Sequence, residues 1–420
     1  MDINKLLKGV NCDCGRTHTC DIEYVYIENN AIQRLGEICG QDRNILLVAD
    51  ENTFAAAGEK TVFALAGKNI RKVIFSGGAI LVPNETAIHE VRSALSDADL
   101  IVGIGSGVIQ DLCKYVSFES KIPYIIVATA PSMDGYASNG AAMITGGMKV
   151  TYPAGLPVAI IADTEVIRNA PIEMLKAGYG DIIGKFSALN DWKLSHLING
   201  EYFCPYIYDL TYAQIQKTLS LADGILKRDE ESVKALMEAL TIIGILMSFA
   251  GSSRPASGSE HHLSHYFEVL GLLKNEPYFC HGIDVAYSTY VTAQLRQELL
   301  AIDEPAAKAF DMAEWEANIR RVYSVPGNAT AADGIIALQK KLGWINEDKL
   351  HVYRAKWAEI RQILSDSPTP EEILGMLTDV GLSMDDFYDM YSEEKLADAI
   401  RCAKDLKDRY TVLWLYEQVQ

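Results

Sequence analysis

The sequence predicts an α/β amino-terminal domain, a Rossmann-like parallel sheet, followed by an all-helical carboxyl-terminal domain. Three observations predict it. Short Ile- and Val-rich runs alternate with helical stretches over the first 165 residues, the rhythm of strands joined by right-handed crossovers. A glycine-rich turn, Gly103-Ile104-Gly105-Ser106-Gly107, connects one of these runs to a helix start. Beyond about Ile167 the strand signals fade, and Leu-, Ala- and Met-rich helical patterns run to the end. At 420 residues the chain exceeds one ordinary core, and the division falls at 1–165 and 166–420.

In chain order, Cys12, Cys14, His18 and Cys20 crowd together and offer the donors of a metal knuckle as an alternative reading. Their spacing is not a C-x-x-C pair and no second knuckle follows, so the segment reads as a polar lead-in to an edge strand. That strand is the alternating Ile22-Glu23-Tyr24-Val25-Tyr26-Ile27. Further strands are predicted at Asn44–Ala49, Lys72–Phe75, Leu100–Ile104, Tyr124–Ala128 and Val158–Ala162, with helices over Thr53–Gly67 and Glu85–Ser96 between them. The apolar run Ala239–Gly251 is too short for a bilayer and reads as a buried helix. Asp366–Pro370, with Ser367 and two prolines, is a turn between helices.

A net charge of −18 argues against nucleic acid or an anionic membrane as the main partner, though an anionic small substrate can still sit in a local cationic pocket. Met1–Val10 carries no apolar signal core, and eight cysteines dispersed over a long chain suit reduced thiols; both point to the cytoplasm.

Glycines let a backbone approach phosphate closely, and the helix start beyond them offers unpaired N–H groups. No Lys-Ser/Thr follows the glycines, which excludes a P-loop. Asp50 ends a strand and serves either as a ribose acceptor or as a helix cap. The loop Thr129-Ala130-Pro131-Ser132-Met133-Asp134 through Ser138 is small and hydroxylic, suited to a cofactor and a polyol. Four of eight histidines lie between 261 and 281, with His261 and His265 on one helix face. Asp181, in Gly180-Asp181, completes with His261 and His281 a one-carboxylate, two-histidine cation site that leaves positions open.

Together the glycine turn with Asp111, the Thr129–Ser138 loop, Gly180-Asp181 with Asp191-Trp192, and Ser257-Gly258-Ser259-Glu260-His261 resemble sn-glycerol-1-phosphate dehydrogenases of the bacterial branch. These are related to iron-type alcohol dehydrogenases, glycerol dehydrogenase and dehydroquinate synthase. The resemblance implies a dehydrogenase interconverting dihydroxyacetone phosphate and sn-glycerol 1-phosphate with NAD or NADP, its partners being a small phosphorylated ketone and a second copy of the chain in a homodimer, without membrane insertion. It implies a zinc or nickel ion on Asp181, His261 and His281, and substrate contacts from Asp134, Asp181 and His265. Cofactor contacts fall on Asp50, Gly107, Val108, Ile109, Gln110, Asp111, Thr129, Ala130, Pro131, Ser132 and Ser138. His262 competes with His261 as ligand, and the Glu260-His261 context with the step to His265 favours His261. Arg254, Lys185 and Lys149 are candidate partners of the substrate phosphate, Arg254 having the best-shaped donor. Two alternatives are a polyol dehydrogenase and a dehydroquinate synthase-type lyase.

Overall fold

The computed structural model describes residues 3–40, 43–78, 81–146 and 148–420. A short hairpin comes first, β1 (Val10–Asn11) with β2 (Thr17–His18). The main sheet contains β3 (Tyr24–Glu28), β4 (Asn44–Asp50), β5 (Asn69–Phe75), β6 (Leu100–Gly105) and β7 (Tyr124–Ala128). A second hairpin, β8 (Gly140–Thr145) and β9 (Met148–Pro153), precedes the last strand, β10 (Ala159–Asp163). The six main strands are all parallel, in the order β3-β10-β7-β6-β4-β5. The strand expected at Ile22–Ile27 is indeed at an edge, and the hairpin Gly140–Pro153 is an addition that the sequence reading did not contain.

Strand periodicity explains why both sheet faces are covered. Ile45, Leu47 and Ala49 of β4 face one apolar cluster with Val102, Ile104 and Val127. Leu46 and Val48 face the other, with Ile101, Leu112 and Val116. Glycine is required where the helix Gly107–Ser120 crosses β6: a Cβ on Gly105 would lie 2.6 Å from Ile109, and one on Gly103 2.8 Å from the Cys113 sulfur. From β4 the chain steps outward to β5 and then returns across β4 to build β6, β7 and β10. That reversal leaves a crevice at the carboxyl ends of β4 and β6, where open α/β sheets take ligands.

The chain forms two compact units, residues 1–145, 149–182 and 216–253 in one and 146–148, 183–215 and 254–420 in the other. Residues 216–253 thus belong with the sheet, whereas the sequence boundary stood at 165/166. The reason is the helix Glu230–Ala250, whose apolar residues pack on the turn Gly135–Ala137: a Cβ on Gly244 would lie 2.7 Å from the Asp134 carbonyl. This helix has 21 residues, longer than the apolar run suggested, and by length and composition it could cross a membrane, but 78% of its most apolar window is buried. In the other unit, the helices Ser259–Lys274 and His281–Leu300 pack with the part of the long helix Ile172–Asn199 that follows Ile182. A Cβ on Gly184 would lie 2.5 Å from Val285, so glycine again sets a close approach. The helices Leu350–Ser365 and Pro370–Asp379 flank the expected turn.

Candidate metal and cofactor site

The helix starting at Ser259 is aimed by buried polar groups. Asp191 accepts from the Ser259 amide at 2.6 Å and from the Val412 amide at 2.8 Å, and it pairs with Arg296 at 3.2 Å. Burial raises the Asp191 carboxyl above its ordinary value, opposed by the Arg296 charge. Arg296 also donates to Ser187 and Asn190. A buried ion pair with this many bonds fixes geometry more than it adds stability.

One helical turn in, His261, His265 and His281 form a cluster. Ring centroids are 5.0 Å apart for His261–His281, 5.9 Å for His261–His265 and 5.5 Å for His265–His281. Asp181, His261 and His281 each offer a ligand atom within 4.8 Å of the others. Such a set, one hard oxygen and two imidazoles, suits zinc or another divalent first-row metal with open positions.

Glu260 orients the first imidazole. Its Oε1 accepts from the Gly258 amide at 2.8 Å and lies 2.7 Å from His261 Nδ1. A carboxylate only accepts, so Nδ1 carries the proton and Nε2 presents its lone pair, the arrangement common beside metal-bound histidine. Burial raises the Glu260 carboxyl above its ordinary value, and backbone N–H groups at Gly258 and Glu260 draw it down. His281 Nδ1 lies 3.4 Å from Ser264 Oγ. The neighbour His262 is fully buried, neither ring nitrogen has a hydrogen-bond partner among the described residues, and burial pushes its imidazole well below the ordinary value. It is outside the ligand cluster.

Asp181 is linked to the loop after β7. Its Oδ2 accepts from the Asp134 amide at 2.9 Å. The same loop rests on Gly178, where a Cβ would stand 1.9 Å from the Pro131 carbonyl oxygen. Tyr136 donates to the Ala130 carbonyl at 2.8 Å. Lys114, fully buried, donates to the Gly135 and Gly140 carbonyls and to Ser138 Oγ, and lies 3.6 Å from Asp111. Burial lowers the Lys114 ammonium and raises the Asp111 carboxyl. Lys114 was missed in the sequence, although its three-residue step from Asp111 in an apolar helix was a legible signal.

A cavity of about 580 Å³ opens at the carboxyl ends of the strands, lined among others by Asp50, Lys60, Ser106, Thr129, Ala130 and Glu165. Asp50 caps the helix Glu51–Ala64 through the Asn52 and Thr53 amides while also lining this cavity, so both of its readings have structural content. Ser132 Oγ lies 2.5 Å from Ser106 Oγ. Gly107 and Val108 are half-buried at the helix start. Ile109 and Gln110 instead turn into the core: Gln110 is fully buried and donates to Tyr124 Oη and the Tyr136 carbonyl.

Arg254 departs from the expected phosphate role. Its guanidinium is buried and donates to Glu201 at 2.7 Å, to the Tyr410 carbonyl at 2.8 Å and to Ser195 at 3.2 Å. It is a structural clamp. Lys185, four residues beyond Asp181 on the same helix face, is fully buried, and Lys149 is half-buried.

Residues 26–171 match the family model of iron-containing alcohol dehydrogenases. A glycerol-1-phosphate dehydrogenase [NAD(P)+] of Geobacillus stearothermophilus is 31% identical, the alignment covering 88% of this chain and 86% of that relative. The chain belongs to the glycerol-1-phosphate dehydrogenase family. A relative of the same name from Halalkalibacterium halodurans is 35% identical over 70% of this chain and 77% of its own length. Solved structures share the fold. A glycerol dehydrogenase from Schizosaccharomyces pombe aligns with TM-score 0.55 at 19% identity, covering 94% of this chain and 90% of that one. A sulfoacetaldehyde reductase from Bifidobacterium kashiwanohense, in complex with NAD+, aligns with TM-score 0.58 at 13% identity, covering 94% and 93%.

Proposed function

We propose that this enzyme is an NAD(P)-dependent glycerol-1-phosphate dehydrogenase that reduces dihydroxyacetone phosphate to sn-glycerol 1-phosphate. The carrying observation is the Asp181–His261–His281 donor set in a chain of that family. We assign these three residues as ligands of one divalent cation, zinc or nickel. When bound, the cation polarises the ketone and stabilises the alkoxide, and the nicotinamide supplies the hydride.

The chain's own residues do the rest. Glu260 holds His261 in the ligating tautomer. The Asp134 amide holds Asp181, so the loop that would position the polyol also positions a ligand. Asp134 and His265 are the substrate contacts, His265 relaying the alcohol proton. Asp50, Gly107, Val108, Thr129, Ala130 and Ser132 are the cofactor contacts, while Ile109, Gln110, Asp111, Pro131 and Ser138 act by holding that backbone. Lys185 or Lys149 meets the phosphate. A homodimer in the cytoplasm is the proposed setting.

The test is metal stripping followed by add-back of zinc or nickel, with NADH oxidation followed on dihydroxyacetone phosphate. Activity should vanish and return with the metal. Undiminished turnover in the stripped enzyme would remove the cation from the mechanism.

A further inference from the structure

We propose a second metal site in this chain, a closed structural zinc centre of three cysteines and one histidine: Cys12, Cys14, His18 and Cys204. Each offers one ligand atom, and these atoms all lie within 4.8 Å of one another. The fourth member is Cys204, nearly two hundred residues away in sequence, and not Cys20. Cys20 is outside the cluster.

Four features of the cluster fit tetrahedral zinc. First, His18 Nδ1 lies 3.0 Å from the Phe249 carbonyl, in a buried position. A carbonyl only accepts, so Nδ1 carries the proton and Nε2 presents the lone pair. Second, that Nε2 lies 3.5 Å from Cys14 Sγ. Zn–S near 2.3 Å and Zn–N near 2.0–2.1 Å place tetrahedral ligand atoms roughly 3.6 Å apart. Third, Cys204 is fully buried and precedes the helix Pro205–Leu219, its carbonyl accepting from the Tyr208 amide at 3.0 Å. A helix start favours the thiolate form.

The fourth is the weakness of what the cluster would hold. The hairpin β1–β2 has only two residue pairs, Val10↔His18 and Asn11↔Thr17. Isolated two-stranded hairpins are marginal in water. Its turn is nevertheless ordered, with Gly15 at φ +84°, its amide donating to Cys12, and the Cys12 amide donating to Arg16. His18 also stacks on Phe249 at 5.4 Å. A zinc ion on Cys12, Cys14 and His18 would lock the turn, and Cys204 would complete the shell. None of the eight cysteines forms a disulfide. Three thiolates and a neutral imidazole leave no open position, so this ion is structural, unlike one on Asp181, His261 and His281.

The experiment uses full-length, tag-free enzyme purified under reducing conditions. Elemental analysis after mild chelation should find one zinc per chain retained in wild type and in His281→Ala, released when an organomercurial blocks the thiols. Cys204→Ser and Cys14→Ser should lose that zinc and unfold at lower temperature. Cobalt substitution of wild type should give an intense thiolate-to-cobalt absorption that His281→Ala keeps, a readout that stands even if the cysteine variants do not fold. Cobalt loading without a thiolate band, or a disulfide among Cys12, Cys14 and Cys204 in the native reduced protein, would overturn the proposal.

Discussion

Replacing Glu260 isolates the part of the proposed metal centre that lies one hydrogen bond behind the proposed ligands. Its Oε1 serves both the Gly258 amide and His261 Nδ1 at under 3 Å, in a site closed to solvent. Hydrogen bonds to a charged group are worth about 1.5–3 kcal/mol, or about ten- to a hundredfold in an equilibrium constant. Glu260→Gln keeps an acceptor of similar shape but removes the charge, so metal affinity should fall by about tenfold, the lower end for such groups. Glu260→Ala leaves both donors facing an apolar gap, and the loss should approach about a hundredfold. Affinity is read by competition with a chelator. NADH titration, which reports the proposed cofactor cavity lined by Asp50 and Thr129, should be unchanged. Wild-type metal affinity in both variants would refute the idea that Glu260 prepares His261.

Other substitutions separate neighbours with different roles. His261→Ala or His281→Ala should lose the cation and nearly all turnover while His262→Ala keeps both; the opposite pattern would exchange the two neighbouring histidines. Gly107→Val should raise the NADH dissociation constant and leave metal content alone. A Cβ there meets only Met133, at 3.8 Å, so an unchanged NADH titration could not be blamed on the fold and would make the turn a plain connection. Gly178→Ala places a methyl against the Pro131 carbonyl, so the protein should lose about 1–3 kcal/mol in denaturant titration; wild-type stability would mean the Pro131 loop does not rest there. Arg254→Ala should destabilise the protein yet keep its preference for dihydroxyacetone phosphate over dihydroxyacetone, since the guanidinium is held by Glu201; loss of that preference would restore the phosphate role to Arg254.

The parallel sheet was legible because each central strand is a short apolar run buried on both faces, as with Tyr124–Ala128, found with the same bounds. The hairpin Gly140–Pro153 was not, since its residues mix Gly, Thr and Lys without clean alternation. The histidine cluster was visible because the four-residue step from His261 to His265 encodes a shared helix face. Spacing says nothing about contacts across the fold. It could not bring Cys204 to Cys12, nor show that Arg254 finds Glu201, because those meetings depend on how segments distant in sequence fold together. Glu260 was adjacent to its partner, but only coordinates reveal that its side chain turns back on His261.

The most direct test of the central claim is a comparison of substrates by the metal-loaded enzyme, with the chirality of the product determined. NADH should be consumed in proportion to dihydroxyacetone phosphate, the product should be sn-glycerol 1-phosphate, and unphosphorylated dihydroxyacetone should be reduced far more slowly. Equal rates on both ketones would make the enzyme a polyol dehydrogenase, and the absence of net NADH consumption would make it a lyase.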